Sequence, residues 1–176
     1  MPFTPFHFGP SGLIGLVFKK WVDLPVFVLA NVVIDLEPLI VLVFGLDYPM
    51  HGLCHTFLLG GALGLAWGVL AYPARGLFKS LMELFGLPYQ TNLAKVVASG
   101  VLGAWFHVLL DSFCWADVRP FWPLQANPLL GMLGVTAVHV LCAVCFVPAI
   151  ALYIILAVSW AKQIGADHKV DEERGR

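Results

Sequence analysis

The apolar and polar positions divide the chain into long hydrophobic segments separated by short polar ones. Residues 10 to 18, PSGLIGLVF, end at Lys19 and Lys20 and predict a helix of half-membrane depth. Residues 24 to 46 are long enough to cross a bilayer at about 1.5 Å per residue, but Asp35, Glu37 and Pro38 interrupt them midway. The proline predicts a kink or break there. Residues 52 to 72 form a second span, in which Gly60, Gly64 and Gly68 make a close-packing stripe. Residues 74 to 93 are charged and amphipathic and predict an interfacial helix and loop. Residues 94 to 114 give a third span, and 129 to 160 a fourth apolar stretch that can tilt or bend at Pro148. The loop between them, WADVRPFWPLQANP, has the tryptophans and prolines expected at headgroup level. From Lys162 onward the chain is polar and reads as frayed.

The expected fold is therefore all-α: a polytopic transmembrane bundle of about four to five membrane-inserted helices with one interfacial helix. Residues 1–161 form its domain and 162–176 a polar tail. Composition agrees, since 60% of residues are hydrophobic and only 12% charged, which excludes an ordinary soluble domain. A net charge of −1 without a basic run sets nucleic acid aside as a partner. The opening MPFTPFHFGPSG lacks the basic region of a cleavable signal, so His7 is expected in the working protein. If the first helix enters from outside, nine of the ten lysines and arginines face the cytoplasm and Arg119 alone lies outside. That asymmetry predicts an extracytoplasmic N-terminus and a cytoplasmic C-terminus. Cys142 and Cys145 lie in an apolar run and read as packing, whereas Cys54 and Cys114, at helix ends on one side, leave a disulfide open.

On this topology His7, His51, His55, His107 and Asp111 gather at the outer ends of separate helices, with Asp35 and Glu37 deeper in the kinked region. His51 with His55, and His107 with Asp111, are spaced four apart, which on a helix stacks side chains about 6 Å apart. Imidazole and carboxylate are the ligands zinc and similar divalent ions take. A carboxylate such as Asp35 near the bilayer middle costs about 2.5–3.5 kcal/mol unless paired or ligated. Each residue also has a plainer reading. His7 suits a cap, His51 a turn beside Asp47, His55 a hydrogen-bonded core imidazole, and His107 with Asp111 a tie between helices. An ion pair for Asp35 or Glu37 lacks a basic partner at that depth. His139 reads as a core or supporting residue, and His168 has no assigned role.

Together these are seven donors, more than one tetrahedral zinc needs. Two ions about 3.5–4 Å apart, bridged by a carboxylate such as Asp35, use the surplus and supply hydrolytic chemistry. Glu37 is an additional ligand or a general base, and Arg119 either clamps a phosphate oxygen or anchors at the headgroups.

With His7, IDLEP (Asp35, Glu37), HGLCHTF (His51, His55) and HVLLD (His107, Asp111) in this order, followed by WADVRPFWPL, the chain resembles the predicted membrane-bound metal-dependent hydrolases described as YdjM-like. The likeness covers roughly residues 5 to 125. It departs at Ile34, where the family often has proline, at Glu37, where it has a second aspartate, and at Phe57, where it has serine. The resemblance implies a metal-binding helical bundle of the prokaryotic inner membrane with hydrolase activity. The His-Asp pairing is also similar, more distantly, to that of the zinc-dependent phospholipase C group. The expectation is thus a dinuclear zinc hydrolase acting at the outer face on a phosphoester or related bond of an amphiphilic or lipid substrate. A divalent-metal transporter or sensor is the rival, a scaffold protein the third reading, and oligomeric state stays open.

Overall fold

The computed structural model describes residues 5–174, with side-chain environments through residue 166. Among these residues seven α-helices follow one another: α1 (Phe8–Val17), α2 (Leu24–Ile34), α3 (Leu36–Phe44), α4 (Phe57–Ala71), α5 (Arg75–Leu84), α6 (Leu93–Cys114) and α7 (Val135–Arg174). No strand occurs among the described residues. Starts are set by side-chain caps. Asp23 accepts from the Val26 N–H, Thr56 from Leu59 and Asn92 from Lys95, each satisfying an orphan donor of the first turn. Gly45, at φ +59°, takes the left-handed position that ends α3.

Among the described residues, four stretches are long and apolar enough to cross a membrane: Leu24–Phe44, Phe57–Leu84, Leu93–Cys114 and Val135–Ala166. The bundle turns much apolar surface outward, including Val140, Val144, Val147, Ile150 and Ile154 along α7. Such a surface is costly in water and ordinary in lipid. Helix α1 has ten residues, about 15 Å, and reaches half of a roughly 30 Å hydrocarbon core. Stretch Phe57–Leu84 is longer than a crossing needs and is divided by a 3-10 turn at Tyr72–Ala74. Its second part, α5, buries only Phe78 and exposes the Lys79–Glu83 pair, as the amphipathic pattern predicts.

Helix α6 is the centre of the packing. A methyl at Gly100 would collide with the Gly64 carbonyl oxygen, and one at Gly64 with that of Gly100, so α4 and α6 meet backbone to backbone. Gly103 stands in the same relation to the Phe27 carbonyl of α2. Helix α7 covers α1 and touches α6 through Leu110, Val138 and Cys142. Helices α2 and α6 start side by side, where the Asp23 N–H donates to Ser99 Oγ at 2.7 Å. Both run towards the same end of the bundle.

The break expected in the second segment is present and falls at Asp35, three residues before Pro38, because the proline ring excludes the preceding turn and fits the first turn of α3, where no N–H is needed. Other expectations change. Helix α4 starts at Phe57, so His51 and His55 precede it, and the i,i+4 helical presentation expected of them is replaced by a loop and a 3-10 turn. Helix α7 passes through Pro148 and continues to Arg174, so the expected frayed tail is helical. Cys54 and Cys114 are free thiols.

Candidate metal centre

On α6, His107 and Asp111 are one turn apart and both buried, with His107 Nε2 at 3.3 Å from Asp111 Oδ2. The α2–α3 break turns Asp35 towards them, its Oδ1 at 3.3 Å from the same nitrogen. His55 closes the 3-10 turn Leu53–His55, which Thr56 locks by donating to the Leu53 carbonyl and accepting from Leu59. Its Nε2 lies 3.7 Å from Asp111 Oδ2 and 4.0 Å from Asp35 Oδ1. His51 Nε2 approaches Asp111 Oδ2 at 3.9 Å, and His7 Nε2 approaches Asp111 Oδ1 at 3.5 Å. Four imidazoles and two carboxylates thus converge, with Asp111 rather than Asp35 facing all four histidines.

Ligating atoms of Asp35, His55, His107 and Asp111 all lie within 4.8 Å of one another, and all four residues are buried. This cluster can hold a metal ion. Its nitrogens pass a direct test of fit. His55 Nε2 and His107 Nε2 are buried and, despite the nearby carboxylates, have no hydrogen-bond partner among the described residues. Leaving a buried polar atom unpaired costs about 1–3 kcal/mol. A cation facing these nitrogens and the two carboxylates removes that cost.

Two further carboxylates grip the far sides of the histidines. Glu37 receives the Gly52 and Cys54 N–H groups at 3.1 Å and meets His55 Nδ1 at 3.0 Å. Its carboxylate is therefore engaged behind His55, away from the cluster, which departs from the expected ligand or general base. Asp117 does the same for His51. Its Oδ1 lies 2.9 Å from His51 Nδ1, and its Oδ2 accepts the His51 N–H at 3.1 Å. With Nδ1 protonated in both rings, Nε2 presents its lone pair to the cluster, the arrangement by which metal-binding histidines are oriented. Partial burial pushes the Asp117 carboxyl up, but the hydrogen bonds from the His51 ring and backbone outweigh it and hold the group below its ordinary value. Asp117 escaped the sequence reading because its loop has no periodicity. The one available signal was an acidic residue in an otherwise aromatic, proline-rich turn. Trp115 of that loop stacks on His51, with ring centres 5.5 Å apart.

Burial, and then the charge of Glu37, push the Cys54 thiol up to about 11, so it stays neutral beside the cluster. His139 lies on α7, its Nδ1 at 2.8 Å from the Val135 carbonyl and its ring edge-on to Phe6. Arg119 is exposed and stands outside the cluster. It lines a cleft of about 290 Å³ with Tyr48, His51, Thr56, Asp117 and Trp122. Because His51 belongs to both, the cleft adjoins the cluster. Trp122 also borders an open apolar groove of about 670 Å³ between α4 and α6, lined by Phe57, Gly61, Trp105 and Phe121. No family model, curated protein or solved structure matches this chain.

Proposed function

We propose that this chain is an integral-membrane, metal-dependent hydrolase that holds two zinc ions and cleaves a phosphoester or related bond in an amphiphilic lipid substrate. The observation that carries the reading is the buried convergence of His7, Asp35, His51, His55, His107 and Asp111, with two of the histidines backed by carboxylates. Six donors would suit two ions, and Asp111, with one oxygen towards His7 and the other towards the remaining histidines, would serve both sets of ligands. When bound, such ions activate water and neutralise charge on a phosphoryl oxygen.

The residues divide the remaining work. Glu37 and Asp117 hold His55 and His51 in the ligating tautomer. Asp35 has its Oδ1 towards the cluster, which leaves its second oxygen to take a proton from the attacking water. Arg119, in the cleft, clamps an anionic oxygen of the substrate. The polar cleft and the apolar groove share Trp122, a layout that suits a molecule with a polar head and a hydrocarbon tail arriving from within the membrane.

An ion in transit needs a polar route through the bundle. Below the cluster the buried polar pair Asn31 and Ser11 is bonded to itself at 3.0 Å, and beyond it α2 and α6 touch at Gly103 and the Phe27 carbonyl among Val26, Ala30 and Ala104, all buried and apolar. This closed packing favours an enclosed one-sided site over a transporter. The deciding experiment is elemental analysis of detergent-purified protein beside His107→Ala and Asp111→Ala, followed by assay against phospholipids and isoprenoid phosphates. About two zinc equivalents per chain, lost in both variants, with zinc-dependent release of a product from one lipid is the expected result. A folded protein that takes up no zinc ends the reading.

A further inference from the structure

A second cavity, of about 550 Å³, opens at the other end of the bundle, lined by Lys19, Lys20, Asp23, Tyr89, Thr91 and Lys95 among others. It lies where α2 and α6 begin, whereas the metal cluster lies near the far end of both. Along α6, Lys95 and Asp111 are about 24 Å apart at 1.5 Å per residue.

The cavity is positively charged. Asp23 is the only carboxylate among its lining residues, and it is 1% exposed. Its oxygens already accept from the Val26 N–H, the Tyr89 hydroxyl at 2.7 Å and the Thr91 hydroxyl. Burial, and then the bond to Asp23, push the Tyr89 phenol well above its ordinary value, so that hydroxyl remains a donor. Lys95 Nζ donates to the Lys19 and Gln90 carbonyls at 2.7 and 3.0 Å, which ties the cavity walls together and leaves one N–H free. Lys19 and Lys20 make no side-chain ion pair among the described residues.

Beside the charged cavity runs a wholly apolar groove of about 360 Å³ lined by Gly12, Leu16, Val28, Ala149, Ile150 and Tyr153. Leu24 and Met82 line both, so the two spaces adjoin. The groove leads from the lysines towards the middle of the bundle, and Trp21, which follows Lys20 in the chain, is 70% exposed. An exposed tryptophan next to lysines marks the headgroup level of a membrane.

We infer that this end of the protein binds one anionic phospholipid, its phosphate and headgroup among Lys19, Lys20 and Lys95 and an acyl chain in the groove between α1, α2 and α7. The inference is independent of the hydrolase reading, since it uses none of the cluster residues.

The test incubates the purified full-length protein in mixed micelles with phosphatidylglycerol or phosphatidylcholine of the same chain length and counts bound lipid by native mass spectrometry. One phosphatidylglycerol is expected to remain bound in preference to phosphatidylcholine. The double variant Lys19→Ala/Lys20→Ala, which removes two charges from the rim, is expected to lose about tenfold or more in retention with zinc content unchanged. Gly12→Leu fills an open point of the groove, where an added Cβ meets nothing within 4 Å, and is expected to weaken retention with the lysines intact. Equal retention of the two lipids, or a double variant that binds like the parent, overturns the inference. Retention of inorganic phosphate in place of phosphatidylglycerol also overturns it, leaving a site for free phosphate.

Discussion

At the scale of single residues, the cluster depends on groups that sit behind its histidines. Asp117 is the clearest case, because its side chain is 40% exposed and its removal leaves no buried hole. Its carboxylate holds the His51 ring and backbone together, so Asp117→Asn weakens the acceptor that selects the ligating tautomer. We expect zinc affinity to fall by about 10–100-fold with little change in folding, measured by competition against a chromophoric chelator. Unchanged affinity would show that His51 is not a ligand. The aspartate itself was plainly visible in WADVRP, but its partner is 66 residues away, and no local pattern links positions that far apart.

Among elements, close approach of α4 and α6 brings His55 to His107, and glycine permits it. Gly100→Ala forces apart two backbones whose carbonyl and Cα are in contact, with no flexible side chain to yield. The expected cost is about 1–3 kcal/mol, read as a lower midpoint of thermal unfolding in detergent, together with partial loss of zinc. Gly76→Ala on α5, where an added Cβ meets nothing within 4 Å, serves as the matched control and should lose nothing. A Gly100 variant as stable and as metal-loaded as the control would mean that the interface relaxes without moving the cluster. The stripe at intervals of four was legible in the sequence. Its partner glycine on α6 was not, since one glycine among many has no periodicity of its own.

For the whole molecule, polarity between the two ends is the main property. Lys19, Lys20 and Lys95 line one end, while Arg119 stands alone in the cleft beside the cluster at the other. Basic residues stay on the cytoplasmic side, so the cluster end is expected to face outward. In a background with the four native cysteines replaced, Tyr48→Cys should react with an impermeant thiol reagent in intact cells, and Lys79→Cys only after permeabilisation. The opposite pattern would put the cluster on the cytoplasmic side and exclude substrates of the outer leaflet.

Local sequence alone determined the all-helical membrane architecture, because insertion depends on the length and hydropathy of each segment and every helix satisfies its own backbone. It also determined which polar residues were out of place, since a histidine or carboxylate in an apolar run is costly wherever the run ends up. His107 and Asp111 were legible even as a pair, being one helical turn apart. Only the tertiary structure decided the rest. It moved His51 and His55 off the helix into a capped turn, placed Glu37 behind His55, made Asp111 the centre and brought in Asp117. The physical reason is that these roles depend on which face of which nitrogen meets which oxygen, and that is set by helix crossings and loop closure over long separations rather than by neighbours in the chain.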